Sequence, residues 1–91
     1  MMRKIKLTSA NKSVLLKALA PDYDQQRALG HSTENPGRLI LKIDSLPADK
    51  KAAFSTEEIR LMRITINRLR NARLGKGQYT DAADDMLLKL F

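Results

Sequence analysis

The chain has 91 residues, of which 43% are hydrophobic, and it carries a formal net charge of +7 with no cysteine. This length suits a single domain over residues 1–91 with one modest core, and it excludes an enzyme built around a cleft between domains. The lack of cysteine excludes disulfides and thiolate metal sites. No apolar stretch reaches the ~20 residues that a membrane-spanning helix needs, and Lys17 interrupts the only signal-like run, so we expect a cytoplasmic protein.

The first third of the chain predicts a charged segment followed by helices. Residues 1–8 form a basic arm or, because charged and apolar side chains alternate over residues 3–8, a short strand. Residues 9–20 carry a helical stripe of apolar side chains, which Pro21 should end. Residues 22–29 then predict a second, short helix.

The apolar pattern of residues 36–46 fits both a helix and a strand. Their leucines and isoleucines match both the alternation of a strand and the stripe of a helix. Asn35 as a cap and Pro36 at the first helical position favour the helix. If residues 38–43 are instead a strand, the obvious partner is residues 3–8, and the domain becomes α+β rather than all α.

The clearest element is a helix over residues 55–74. Ser55 and Glu58 have the spacing of a reciprocal capping box, and Gly75 stands where a left-handed residue would end the helix. The segment before this helix, residues 48–54, predicts a turn or one helical loop.

A last helix is predicted over residues 80–91, with Thr80 and Asp81 as caps. The short connection makes it an antiparallel neighbour of the 55–74 helix. We therefore expect a mainly α fold, a small helical domain that ends in an antiparallel helical hairpin. The expected buried stripe of the last helix is Ala83, Met86, Leu87, Leu90 and Phe91.

Basic residues gather on one side of the 55–74 helix and near the start of the chain. At 100° per residue, four of the five arginines and both asparagines of this helix lie opposite its apolar side. Guanidinium groups fork onto phosphates, and asparagine bonds either phosphates or base edges. The candidate contacts to phosphate or to an acidic partner are Arg60, Arg63, Asn67, Arg68, Arg70, Lys4, Lys6 and Lys12.

These features predict a small non-enzymatic binding protein without a cofactor or metal. His31, the only histidine, has no nucleophile or paired carboxylate beside it. The basic surface favours a nucleic-acid-associated regulator, and the lack of tryptophan favours duplex or structured nucleic acid over bare single strands. The alternative is a protein-protein adaptor or inhibitor, of the kind that a phage or other mobile element encodes, docked on an acidic protein surface. The apolar arc of the hairpin also allows a homodimer.

Overall fold

Four helices and a two-stranded antiparallel sheet make up residues 2–31 and 34–91, the part of the chain that the computed structural model describes. The mainly α fold and the closing pair of helices are as the sequence predicts. The elements in chain order are β1 (Met2–Leu7), α1 (Ser9–Ala28), α2 (Glu34–Ser45), β2 (Lys50–Ser55), α3 (Thr56–Gly75) and α4 (Asp81–Leu90).

The two strands pair with each other, so the partner of β1 is β2 and not residues 38–43. β1 runs antiparallel to β2, in a register that places Met2 opposite Ser55 and Leu7 opposite Lys50. Residues 38–43 belong to helix α2, as the favoured interpretation predicts, whereas the turn or helical loop expected at residues 48–54 is largely strand β2. The strand alternative for residues 38–43 and the loop expected at residues 48–54 are therefore wrong, while the favoured helix is confirmed.

The apolar side chains of residues 36–46 are buried in the pattern of a helix and not of a strand. Pro36, Leu39 and Ile43 are buried, at spacings of three and four residues that a helix brings to one side. A strand would have buried Leu41 together with Leu39 and Ile43, but Leu41 is 71% exposed. The helix begins at Glu34, so Asn35 lies in its first turn rather than at the cap.

Helix α1 continues through Pro21, so the two helices expected at residues 9–20 and 22–29 are one. Proline removes one backbone donor from a helix, a cost that tertiary contacts have to offset. Asp22, the next residue, is buried and accepts a hydrogen bond from Arg68 at 2.7 Å, which holds this part of the chain against α3. At its start, α1 carries a reciprocal capping box between Thr8 and Asn11.

The predicted start of α3 is confirmed, and its end differs slightly from the prediction. Ser55 is the N-cap, its hydroxyl accepts from the Glu58 backbone N–H, and the Glu58 carboxylate accepts from the Ser55 N–H. Gly75 is the last helical residue, and it is Gly77, with φ of 69°, that takes the left-handed conformation. The left-handed residue thus comes later in the chain than expected.

Helix α4 packs against α3 and α1, with Ala83, Met86 and Leu90 buried. Thr80 is the N-cap, but its hydroxyl donates to the Asp84 carboxylate instead of accepting from the helix backbone. Phe91 is 71% exposed, so its expected place in the buried stripe is wrong. It follows the helix, where the backbone no longer holds it on the buried face.

The core lies between the helices and one face of the two strands. Ile5, Leu7 and Phe54 contribute this inner face, and each is 5% exposed or less. Because side chains alternate across a strand, their neighbours in sequence belong to the opposite, outer face. On that outer face Met2, Lys4, Lys6 and Lys51 are exposed, and Ala53 and Ser55 are half-buried.

Candidate nucleic-acid interface

Three of the four candidate arginines on α3 bind neighbouring helices. Arg63 and Arg70 lie on the flank of α3 next to α4, and Arg68 lies on the flank next to α1. The strip between these flanks is the exposed one, and it carries Arg60 and Asn67. The basic side of the helix is therefore mostly a set of contacts within the fold.

Arg63 caps the end of α4 together with Arg3. The Leu90 carbonyl accepts hydrogen bonds from Arg63 Nε at 2.9 Å and Nη2 at 2.5 Å, and from Arg3 Nη1 at 2.9 Å. The Arg63 guanidinium also lies 4.5 Å from the centre of the Phe91 ring. The last carbonyls of a helix lack partners within it and carry partial negative charge, so two guanidinium groups satisfy and stabilise this end.

Arg70 and Arg68 are in ion pairs with carboxylates. Arg70 Nε lies 2.5 Å from Asp84 Oδ1, and the hydrogen bond from Arg70, aided by the Thr80 hydroxyl, lowers the pKa of Asp84. Arg68 Nη1 lies 2.7 Å from the Asp22 carboxylate, whose side chain is 9% exposed. Both arginines therefore have a carboxylate partner within the fold, although the Arg68 side chain stays 60% exposed.

Lys12 is likewise engaged within the fold, at the end of α2. Its ammonium donates to the Leu46 carbonyl at 2.5 Å and to the Asp44 carbonyl at 3.4 Å. Of the eight residues proposed from the sequence, this leaves Lys4, Lys6, Arg60 and Asn67 exposed and without a hydrogen bond from the side chain to another described residue. The structure does not bring these four together, because Lys4 and Lys6 lie on β1.

The two strands form what we call the basic ribbon, residues 2–7 and 50–55. It contains five basic residues and no acidic one. On the outer face, Lys6 lies directly opposite Lys51, and Lys4 opposite Ala53. All three lysines are exposed. Sequence reasoning misses Lys51 because it predicts a turn or loop at residues 48–54, and no local signal in this segment reveals which strand it pairs with.

The outer edges of the basic ribbon are held by lysines from two helices. Lys89 donates to the Lys6 carbonyl at 3.1 Å and to Asn11 Oδ1 at 2.6 Å. On the other side, Lys42 donates to the Ala53 carbonyl at 2.6 Å. Lysine side chains at strand edges disfavour pairing with a further strand. The outer face is consequently the surface on which the ribbon is most open to a ligand.

Lys42 also forms the ion pair that joins α2 to the start of α3. Its ammonium lies 3.0 Å from the Glu58 carboxylate and 4.5 Å from the centre of the Phe54 ring. Burial alone raises the pKa of Glu58, but the hydrogen bond from the Ser55 backbone and the Lys42 charge outweigh it, so this pKa is lowered. This contact fixes the end of β2 and with it the position of the ribbon.

A second surface of interest is a groove of about 710 Å³ between α1, α2 and α3. Arg60 and Arg68 line it on the α3 side, with Ile64 between them at 40% exposure. Acidic side chains of α1 and α3 also line the groove, so its charge is mixed.

Comparison of the chain with protein families, with curated proteins and with solved structures finds no match. Among the described helices, none combines the length and apolar character that crossing a bilayer requires. The function is therefore inferred from the surfaces described above.

Proposed function

We propose that the protein is a non-enzymatic, nucleic-acid-associated regulator that holds phosphates with the outer face of the basic ribbon. The observation that supports this proposal is the pairing of Lys6 with Lys51, side by side in two strands that contain no acidic residue. This differs from the expectation that α3 supplies the contacts, since Arg63, Arg68 and Arg70 have partners within the fold.

Two like charges that face each other across a sheet destabilise it. The cost is about 0.2–1 kcal/mol, the amount by which a pair of unlike charges at the same positions would stabilise it. An anionic ligand removes this penalty, because it lies close to both ammonium groups. Lys4, two residues along the same face of β1, extends the cationic surface. A nucleic-acid backbone offers phosphates at regular spacing, and each one neutralised releases bound counterions.

The test is the salt dependence of binding to a random-sequence duplex, measured by fluorescence anisotropy. The slope of log affinity against log salt changes by about 0.9 for each phosphate that the protein no longer neutralises. We expect Lys6→Gln with Lys51→Gln to lower the magnitude of the slope by about 1.8. The matched control changes Lys17 and Lys76 to Gln, two exposed lysines on α1 and after α3. It should leave the slope almost unchanged.

Two results would count against the proposal. A parent chain that fails to bind duplex at low salt would falsify it outright. An equal fall in slope in the ribbon variant and in the Lys17 and Lys76 control would mean that net charge, rather than the ribbon, attracts the nucleic acid.

The alternative function, docking on an acidic protein surface, is supported by the groove between α1, α2 and α3. Ile64 supplies exposed apolar area in this groove, and Arg60 is of a residue type enriched at protein interfaces. This alternative predicts a stoichiometric protein partner in a pull-down that nuclease treatment does not remove. Arg60→Glu should abolish that capture, and Lys6→Glu should not. The opposite pattern, or a partner that nuclease treatment removes, rejects the alternative.

A further inference from the structure

Resting on the proposed function, we infer that the basic ribbon takes B-form duplex DNA and inserts its outer face into the major groove. Duplex RNA and single strands offer the same phosphates. The preference for duplex DNA therefore depends on the shape of the ribbon and on the side chains at the centre of its outer face. Both are set by the pairing of β1 with β2.

The width of the ribbon matches the major groove of B-form DNA. Paired strands lie about 4.8 Å apart, so two backbones with their own thickness span roughly 10 Å. The major groove of B-DNA is about 12 Å wide and admits a two-stranded ribbon, whereas the minor groove is about 6 Å wide. The major groove of A-form RNA is deep and too narrow for side chains to reach the bases.

The ribbon is free to enter a groove because the helices lie behind it. Ile5, Leu7 and Phe54 face the core, and the three outer-face lysines face away from it. The side chains that hold the ribbon's edges, Lys42 and Lys89, bond to strand carbonyls and keep those edges from pairing with another strand. Six residues per strand, at about 3.3 Å each, span roughly six base pairs.

The middle of the outer face presents chemistry suited to base edges. Lys4 lies opposite Ala53, so a long cationic side chain stands beside a methyl group. Lysine donates hydrogen bonds to guanine O6 and N7, and alanine fits against the thymine methyl group. These base atoms are all exposed in the major groove. The outer face has no aromatic side chain on which an unpaired base would stack, since Phe54 is buried on the inner side.

The test compares the binding of the parent chain to duplex DNA, duplex RNA and single-stranded DNA of one sequence at one salt concentration. We expect duplex DNA to bind about tenfold more tightly than either of the others, because only its major groove admits the ribbon. A second duplex carries glucosylated 5-hydroxymethylcytosine, whose sugars fill the major groove. Affinity for it should fall by a similar factor, while netropsin in the minor groove should leave affinity unchanged.

Variants separate groove entry from simple charge attraction. Lys4→Gln should reduce the preference for DNA over RNA, and Lys17→Gln should preserve it. Equal affinity for DNA and RNA, or no effect of glucosylation, overturns the major-groove inference while leaving phosphate binding by the ribbon intact. No binding to any of the three probes overturns the proposed function, and the inference with it.

Discussion

Reversing the charge of Lys51 should stabilise the folded protein and weaken its binding to nucleic acid. Lys51 lies directly opposite Lys6, and both are exposed. Two unit charges about 5 Å apart in water interact by about 0.8 kcal/mol, so a change from repulsion to attraction is worth roughly twice that before salt screening. Since cross-strand charge pairs contribute about 0.2–1 kcal/mol, we expect Lys51→Glu to raise the free energy of unfolding by about 1 kcal/mol.

Thermal unfolding followed by circular dichroism measures this increase in stability. For a domain of this size, about 1 kcal/mol raises Tm by about 4–8 °C, and added salt should shrink the shift because it screens exposed charges. Lys17→Glu is the matched control, since Lys17 is exposed on α1 and has no charged residue three or four positions away. It should leave Tm nearly unchanged.

The same variant should bind nucleic acid more weakly. Lys51→Glu removes one phosphate contact, and the new carboxylate pairs with Lys6 and withdraws a second, so the salt slope for duplex binding should fall in magnitude by about 1.8. The Lys17→Glu control should keep the parent slope. A Lys51→Glu protein that is less stable than the parent and binds duplex equally well would refute the reasoning on both counts.

Three further predictions compare closely matched substitutions. Arg63→Gln should lower the free energy of unfolding by about 1.5 kcal/mol, because it removes charge-assisted bonds to the end of α4, while Arg60→Gln should change it by less than about 0.5 kcal/mol. Equal effects in urea unfolding would contradict this capping role. Gly77→Ala should cost about 1 kcal/mol because of its positive φ, while Gly75→Ala at the end of α3 should be neutral or stabilising. The opposite order of Tm would place the left-handed residue at Gly75. Because the pKa of Glu58 is lowered, its carboxylate stabilises the folded protein at pH values above 4.5, the ordinary pKa of the group. This stabilisation is lost as pH falls through the folded-state pKa. Glu58→Gln can keep the capping box, so its deficit in the free energy of unfolding relative to the parent should shrink towards zero as pH falls through the folded-state pKa, and a deficit that persists in acid would point to packing instead of charge.

The closing helices could be predicted because their signals are local. Ser55 and Glu58 are three residues apart and bond to each other as the capping-box pattern requires. The apolar stripe of α3 then buries Ile59, Met62 and Ile66. All residues of such a pattern lie within one helix, so tertiary contacts have little influence on whether and where that helix forms.

The ribbon could not be predicted in full because its pairing is not local. Residues 50–55 include two lysines and two alanines, a composition with little strand preference, and only β1 gives them a partner. The helical conformation of residues 36–45 depends on leaving Leu41 in solvent, which a periodic pattern alone does not decide. The continuation of α1 past Pro21 depends likewise on a contact with α3.

The candidate contacts on α3 also depend on partners that are distant in sequence. Arg68 reaches Asp22 across 46 positions, and Arg63 reaches Leu90 across 27. A guanidinium group has five donors in a planar fork, which suits the carbonyls at a helix end as well as it suits a phosphate. An arginine face read from a helical wheel therefore does not distinguish a ligand surface from contacts within the fold.

This ambiguity decides where mutagenesis of the protein should begin. Removing Arg63 and Arg70 would disturb the packing of α4, so weaker binding by that variant would not separate a broken contact from a loosened fold. Lys6 and Lys51 have no such structural bond from their side chains among the described residues, and like-charge repulsion makes their removal neutral or stabilising. Weaker binding by a ribbon variant, measured in a protein at least as stable as the parent, can then be assigned to the missing lysine side chains themselves.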